Sequence, residues 1–272
     1  MGSAQHYVDD SPPRAPASIV ALDLDGERAT ATADAIIVTH PAVHAHSAAV
    51  DVSDETALRD ALTAVADRDG VIDLYVGNAG IGSGAGVEAP DELWDAVMGV
   101  NLMAHVYAVR ALLPAWLERG EGHMLITASA AGLLTNLGDA LYSVSKHGAV
   151  ALAEWLSVTY GSRGLHMTCL CPQGVRTPLL FPEGDTKSDA SSDAEGNPDG
   201  GDALALSVVR AQRILEPEEV AEVVVEALGD ERFLILPHPE VRDYEIARAT
   251  DRGRWLGAMQ RMQAQLEAIS AQ

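Results

Sequence analysis

Six short β-rich runs alternate with longer segments of helical period, and this alternation limits the possible folds more than any other feature of the chain. The runs are "SIVALDL" (18–24), "AHSAAVDV" (45–52), "VIDLYVG" (71–77), "GHMLITAS" (122–129), "LHMTCLCP" (165–172) and "RFLILP" (232–237). Helical patterns cover about 26–37, 54–69, 90–118, 139–162 and 216–229. A last amphipathic stretch, 240–268, sets Trp255, Met259, Met262 and Leu266 on one stripe. Strands and helices in strict turn predict an α/β protein with a parallel sheet. At 272 residues and 47% hydrophobic, the chain can bury the core of one large domain. Pro114 is expected to kink the third helix near its end.

A net charge of −22 argues against a nucleic-acid or anionic-membrane surface, because the phosphate field repels such a molecule. No apolar run reaches the roughly 18 residues of a bilayer span, and the N-terminus lacks a charged-then-apolar signal pattern. A soluble, cytoplasmic protein is expected. Cys169 and Cys171 are expected on opposite faces of a strand, unbridged, which suits a reducing compartment. Residues 183–202 carry seven acids, four glycines and no large apolar side chain, and so predict a mobile lid loop after a strand's carboxyl end.

The stretch "ALYSVSKHGAV" (140–150) holds one of only two lysines, against sixteen arginines. Residues i and i+4 share a helix face, so Tyr142 and Lys146 should point the same way. A free phenol titrates near pH 10, and a neighbouring ammonium should lower that value towards acid–base work. Ser129 closes a predicted strand, where open α/β sheets place their ligands. Asn101 lies in a helix otherwise rich in apolar residues and needs partners there. "GNAGIG" (77–82) and "CPQGVRTPLL" (171–180) follow strands in the same manner. No metal-binding set is visible.

In these residues and their order the chain resembles the short-chain dehydrogenase/reductase family, from about residue 18 to 238. The resemblance implies a single Rossmann-like domain with a doubly wound parallel sheet, followed by a helical extension over 239–272. It implies an NAD(P)-dependent oxidoreductase that interconverts a secondary alcohol and a ketone. The family's catalytic tetrad falls on Asn101, Ser129, Tyr142 and Lys146. Tyr142 would be the general acid/base, Ser129 would polarise the substrate oxygen, and Lys146 would lower the tyrosine pKa and hold the nicotinamide ribose. Asn101 would anchor a water in the proton relay. Cofactor contacts would fall on Asp23, Asp51, Val52, Asn78, Ala79, Gly80, Tyr142, Lys146, Pro172, Gly174, Val175 and Thr177. A carboxylate at Asp23, with Asp25 as a competitor for the role, favours NAD over NADP. Gln173 interrupts the family's Pro-Gly. Leu133, Leu134, Leu179, Leu180 and Phe181 suggest an apolar alcohol or ketone, or serve as core. The resemblance also implies a homodimer or homotetramer, with Ser145, Gly148, Ala149 and Ala153 allowing close helix packing.

The sequence departs from the family at its start. The usual first strand and its T-G-x-x-x-G-x-G turn are absent: residues 1–17, "MGSAQHYVDDSPPRAPA", offer three prolines and no glycine cluster, and are expected to be disordered. Backbone N–H groups at that turn would cradle the pyrophosphate. The N-terminal β-α unit is therefore read as missing or replaced. The alternative to an active enzyme is a catalytically silent relic acting as an oligomer subunit.

Overall fold

The computed structural model describes residues 18–181 and 213–270. The N-terminal segment and the loop read as a lid, 183–202, lie outside the described residues. The chain divides into two compact units, through Val50 and from Asp51 onward.

In the first unit, β1 (Ser18–Asp23) and β2 (His44–Ala49) run parallel, from Ser18 opposite His44 to Asp23 opposite Ala49. Helix α1 (Gly26–Thr39) connects them. Asp25 caps it, its Oδ1 accepting the N–H of Glu27 at 2.9 Å and of Arg28 at 3.3 Å. Ala29 and Ala33, one turn apart, are its buried face.

The second unit begins with α2 (Glu55–Asp69), capped by Asp54. Then come β3 (Leu74–Gly77), α3 (Asp91–Met98), a π-helical turn (Gly99–Met103), α4 (Ala104–Arg119) and β4 (Gly122–Thr127). Next are α5 (Ala130–Leu133), α6 (Ala140–Tyr160), β5 (Leu165–Leu170), α7 (Pro217–Gly229), β6 (Leu234–Ile235), α8 (Glu240–Thr250) and α9 (Arg252–Ser270). The four strands pair in the order β3-β4-β5-β6, all parallel. Strand side chains alternate between faces. Leu125 and Leu170 therefore pack with Val220 and Ala227 of α7, while Met124, Ile126, Met167 and Cys169 are buried on the opposite face, where α4 and α6 lie.

Each expected strand is present and each is shorter at an end. Five details differ from expectation. The third helix carries a π turn at Gly99–Met103. Asp91–Arg119 is then 29 residues long, with an 18-residue window of mean hydropathy 1.5, and is the one helix among the described residues long and apolar enough to cross a membrane. Its Asn101, His105 and Trp116 are nevertheless buried inside the unit. The last helix breaks at Asp251, whose Oδ1 accepts the N–H of Arg254 and so starts α9. Cys169 and Cys171 are two residues apart and so face the same side of the strand, with their sulfurs 3.8 Å apart and unbridged. Finally, Ser145, Ala149 and Ala153 are fully buried within the chain, and a Cβ on Gly148 would lie 2.8 Å from Leu102. The exposed side of α6 carries Val144, Trp155 and Val158 instead.

Candidate active site

The carboxyl ends of β3, β4 and β5 deliver three loops beside the first turns of α6, and the four expected site residues meet there. Asn101 sits in the π turn, fully buried. Such turns widen a helix and are frequent at functional sites. Its carboxamide is held at both ends by one residue: Oδ1 accepts the Ile81 N–H at 2.8 Å, and Nδ2 donates to the Ile81 carbonyl at 2.9 Å. Nδ2 also donates to Ser145 Oγ at 3.0 Å, so a buried amide that would be costly alone is satisfied.

Ser129 follows β4 and caps α5, accepting the Ala131 N–H at 3.1 Å. Its hydroxyl reaches the Pro172 carbonyl at 3.5 Å and lies near enough to the Tyr142 phenol to pull that group's pKa down. Lys146 is 2% exposed and donates to the Thr127 carbonyl at 2.9 Å, with Nζ 5.6 Å from the centre of the Tyr142 ring. Burial brings the lysine down to about 8, against a smaller opposing pull from Cys171 and Cys169.

The expected lowering of the Tyr142 pKa is not found. Burial raises it, and the Asp139 carboxylate and Cys171 push the same way, while the nearby Ser129 hydroxyl pulls down. Loss of hydration dominates, and with Lys146 titrating at about 8 its ammonium is already lost at the higher pH where the phenol would ionise.

Gly80 closes this cluster. A Cβ there would lie 3.3 Å from Lys146 Nζ and 3.5 Å from Asn101 Oδ1, so glycine leaves open a space flanked by an ammonium and a carboxamide. Asn78 Oδ1 accepts from Thr127 Oγ1 at 3.0 Å. Pro172 accepts the Ala130 N–H at 2.8 Å, while Gly174 and Val175 bind the Leu215 segment and Thr177 donates its N–H to Val175. Asp51 Oδ1 is taken by the Ser53 N–H and hydroxyl, next to Val52. Asp23, in the first unit, accepts the Asp25 N–H at 2.8 Å, and Asp25 itself is used as a helix cap.

Three residues that organise this site are not apparent from motif or spacing. Asp139 caps α6 through the Tyr142 N–H at 2.9 Å, and its two oxygens also accept Ser83 Oγ at 2.6 Å and the N–H groups of Ser83 and Gly84 at 2.8 and 2.9 Å. One buried carboxylate thus ties the glycine-rich loop to the tyrosine's helix. His238 accepts the Gln173 N–H on Nδ1 at 3.1 Å and so donates from Nε2 to Arg213, which pins the Pro172–Gly174 loop. His105 fills the space beside Gly77, and neither ring nitrogen has a protein partner. Among the described residues no group of three or more His, Cys, Asp or Glu is placed to hold a metal.

Residues 13–187 match the short chain dehydrogenase family, well over half of the chain. The chain belongs to that family. This short-chain dehydrogenase is 32% identical over 183 residues to an uncharacterised NAD-dependent oxidoreductase of Mycobacterium tuberculosis, covering 66% of this chain and 65% of the relative. The match therefore spans slightly under two thirds of that relative's length. It is 31% identical over 233 residues to the 1-deoxy-11-beta-hydroxypentalenate dehydrogenase of Streptomyces exfoliatus, covering 84% of this chain and 77% of the relative. Among solved structures, a short chain dehydrogenase/reductase from Burkholderia phymatum in complex with NAD superposes with a TM-score of 0.72 at 28% identity, covering 85% of this chain and 84% of the other. The α/β fold of this short-chain dehydrogenase is accordingly Rossmann-like.

Proposed function

We propose that this short-chain dehydrogenase interconverts a secondary alcohol and a ketone, with Tyr142 giving and taking the proton and NAD as cofactor. The observation that carries the reading is the buried Lys146 ammonium, held on the Thr127 carbonyl with its Nζ 5.6 Å from the centre of the Tyr142 ring, with Ser129 close by. A bound nicotinamide would supply the hydride acceptor or donor.

The roles of the chain's own groups follow from their protonation. A phenol held above its ordinary pKa keeps its proton at neutral pH, which suits donation to a ketone oxygen. Ser129 donates to the oxygen that gains negative charge as the carbonyl is reduced. Lys146 is charged below about pH 8 and favours the phenolate left behind. In the oxidative direction Tyr142 must first lose its proton, so alcohol oxidation rises with pH while ketone reduction does not need it to. Asp139 and Asn101 hold the 81–84 loop and the tyrosine's helix in one arrangement.

In this reading Lys146 would hold the nicotinamide ribose, with Asn78, Ala79 and Gly80 along the nucleotide and Pro172, Gly174, Val175 and Thr177 on the nicotinamide side; a Cβ on Gly80 would lie 3.3 Å from Lys146 Nζ, which supports glycine there. One Asp23 oxygen is engaged by Asp25, which leaves the other for an adenosine ribose hydroxyl and against a 2′-phosphate, supporting NAD over NADP. Leu179, Leu180 and Phe181 support an apolar substrate, whereas Leu133 is core and Leu134 lines a separate groove. The apolar stripe of Val144, Trp155 and Val158 supports a homo-oligomer.

The test is calorimetric titration of the 272-residue chain with NAD and NADP, followed by a screen of apolar secondary alcohols. NAD should bind at least about tenfold more tightly than NADP, and Asp23→Ala should erase the difference. Tyr142→Phe should keep NAD affinity while kcat drops by about 10²-fold or more. A folded chain that binds neither dinucleotide would overturn the reading.

A further inference from the structure

The geometry points to a second binding site, for an amphipathic carboxylate, in the groove between α6 and the helices α8 and α9. Arg248 and Arg252 would take the anion, and Trp255, Leu256 and Met259 the apolar body. The groove has a volume of about 760 Å³, within the ~300–1,000 Å³ of typical small-molecule sites. On α6 it is lined by Ser143, Val144 and His147. At about 100° per residue these lie roughly 100–200° around the helix from Tyr142, so the groove faces away from the site already described.

Arg248 is built in rather than waving in solvent. It donates from Nη1 to the Leu133 carbonyl at 2.6 Å, and its guanidinium lies over the Trp255 ring at 5.6 Å. His147 gives its Nδ1 proton to the Ser143 carbonyl at 2.8 Å, which leaves Nε2 to face Arg248 Nη2 at 3.4 Å. Arg248 Nε is buried out of reach of the groove, so a carboxylate would meet the guanidinium through its Nη groups, with charge-assisted bonds.

The charges around it favour the same ligand. Arg59, Arg68, Arg110, Arg119, Arg176, Arg213 and Arg232 all pair with carboxylates. Arg248 and Arg252 face one groove, repel each other and have no ion pair among the described residues. Glu245 opposes that repulsion from the same helix as Arg248, and the groove's own acid, Glu267, is bonded by Gln263 at 2.8 Å. Leu134, Leu137 and Val144 extend the apolar wall, so a small inorganic anion would leave most of the groove unfilled.

Decanoate titrated into the full chain tests this, with 1-decanol at equal concentration as the uncharged probe, acetate as the bare head group, and Arg248→Met and Arg252→Gln as variants. Saturable decanoate binding is expected, at least tenfold tighter than decanol and without measurable acetate binding. Arg248→Met should weaken decanoate at least tenfold, Arg252→Gln about threefold or more, and Tyr142→Phe should leave it unchanged. Because Arg248 also anchors Leu133, Arg252→Gln guards against a variant that merely misfolds. Equal binding of decanoate and decanol, no decanoate binding by the folded wild type, or wild-type affinity in a folded Arg252→Gln would each overturn the proposal.

Discussion

Lys146 shows what the site costs at the level of one residue. Its ammonium is buried and titrates at about 8 instead of 10.5, so the folded state binds fewer protons than the unfolded one between those values. Stability therefore rises with pH through this window, and the full penalty, about 3 kcal/mol at ~1.4 kcal/mol per unit, applies below pH ~8. The bond to the Thr127 carbonyl offsets part of it. Lys146→Met is expected to raise stability at pH 7 by about 1 kcal/mol and to lose that advantage by pH ~10, read by urea unfolding at both pH values. In the same variant the proposed dehydrogenase activity should drop at least ~10²-fold. A variant less stable than wild type at pH 7 would show that burial of the ammonium is not the dominant effect.

At the level of elements, β3 and α4 are fitted to each other at one contact. A Cβ on Gly77, the last residue of β3, would lie 2.5 Å from Nδ1 of His105 on α4, and His105 is 1% exposed and has nowhere to go. Gly77→Ala should therefore cost about 1–3 kcal/mol through overpacking. Adding His105→Val makes the room, so the double variant should recover most of the loss, a coupling readable from four urea curves. Additive costs would mean that the two residues do not share the space. The same logic explains why Ser129, Tyr142 and Lys146 were legible in sequence while Asp139 was not. The first three follow from strand ends and a four-residue helical spacing, whereas Asp139 acts on residues 55 and 56 positions upstream.

Over the whole molecule, buried histidines set the acid limit. Burial lowers His105 to about 3, and also lowers His123 and His238, so these rings stay neutral in the fold when the unfolded chain would protonate them. The unfolded state then binds more protons, and stability falls as pH drops below ~6.5, by about 1.4 kcal/mol per unit for His105 alone. His105→Leu should remove that contribution: its stability advantage over wild type should widen steadily between pH ~6.5 and ~4.5 in denaturant titrations. An offset independent of pH would rule out His105 as the titrating group.

The order of strands and helices and the shared face of Tyr142 and Lys146 rest on local periods and short spacings, which the amino-acid order carries directly, while the resemblance to the family added Asn101 and Ser129 to that pair. The sequence could not carry the sign of the Tyr142 shift, because burial belongs to the surroundings and not to the neighbour four residues on. Nor could it reveal the inward turn of the small residues on α6, the break at Asp251, or the groove that gathers Arg248 and Arg252. Those were decided only when segments distant in the chain packed together, since desolvation and close contact depend on what lies alongside in space.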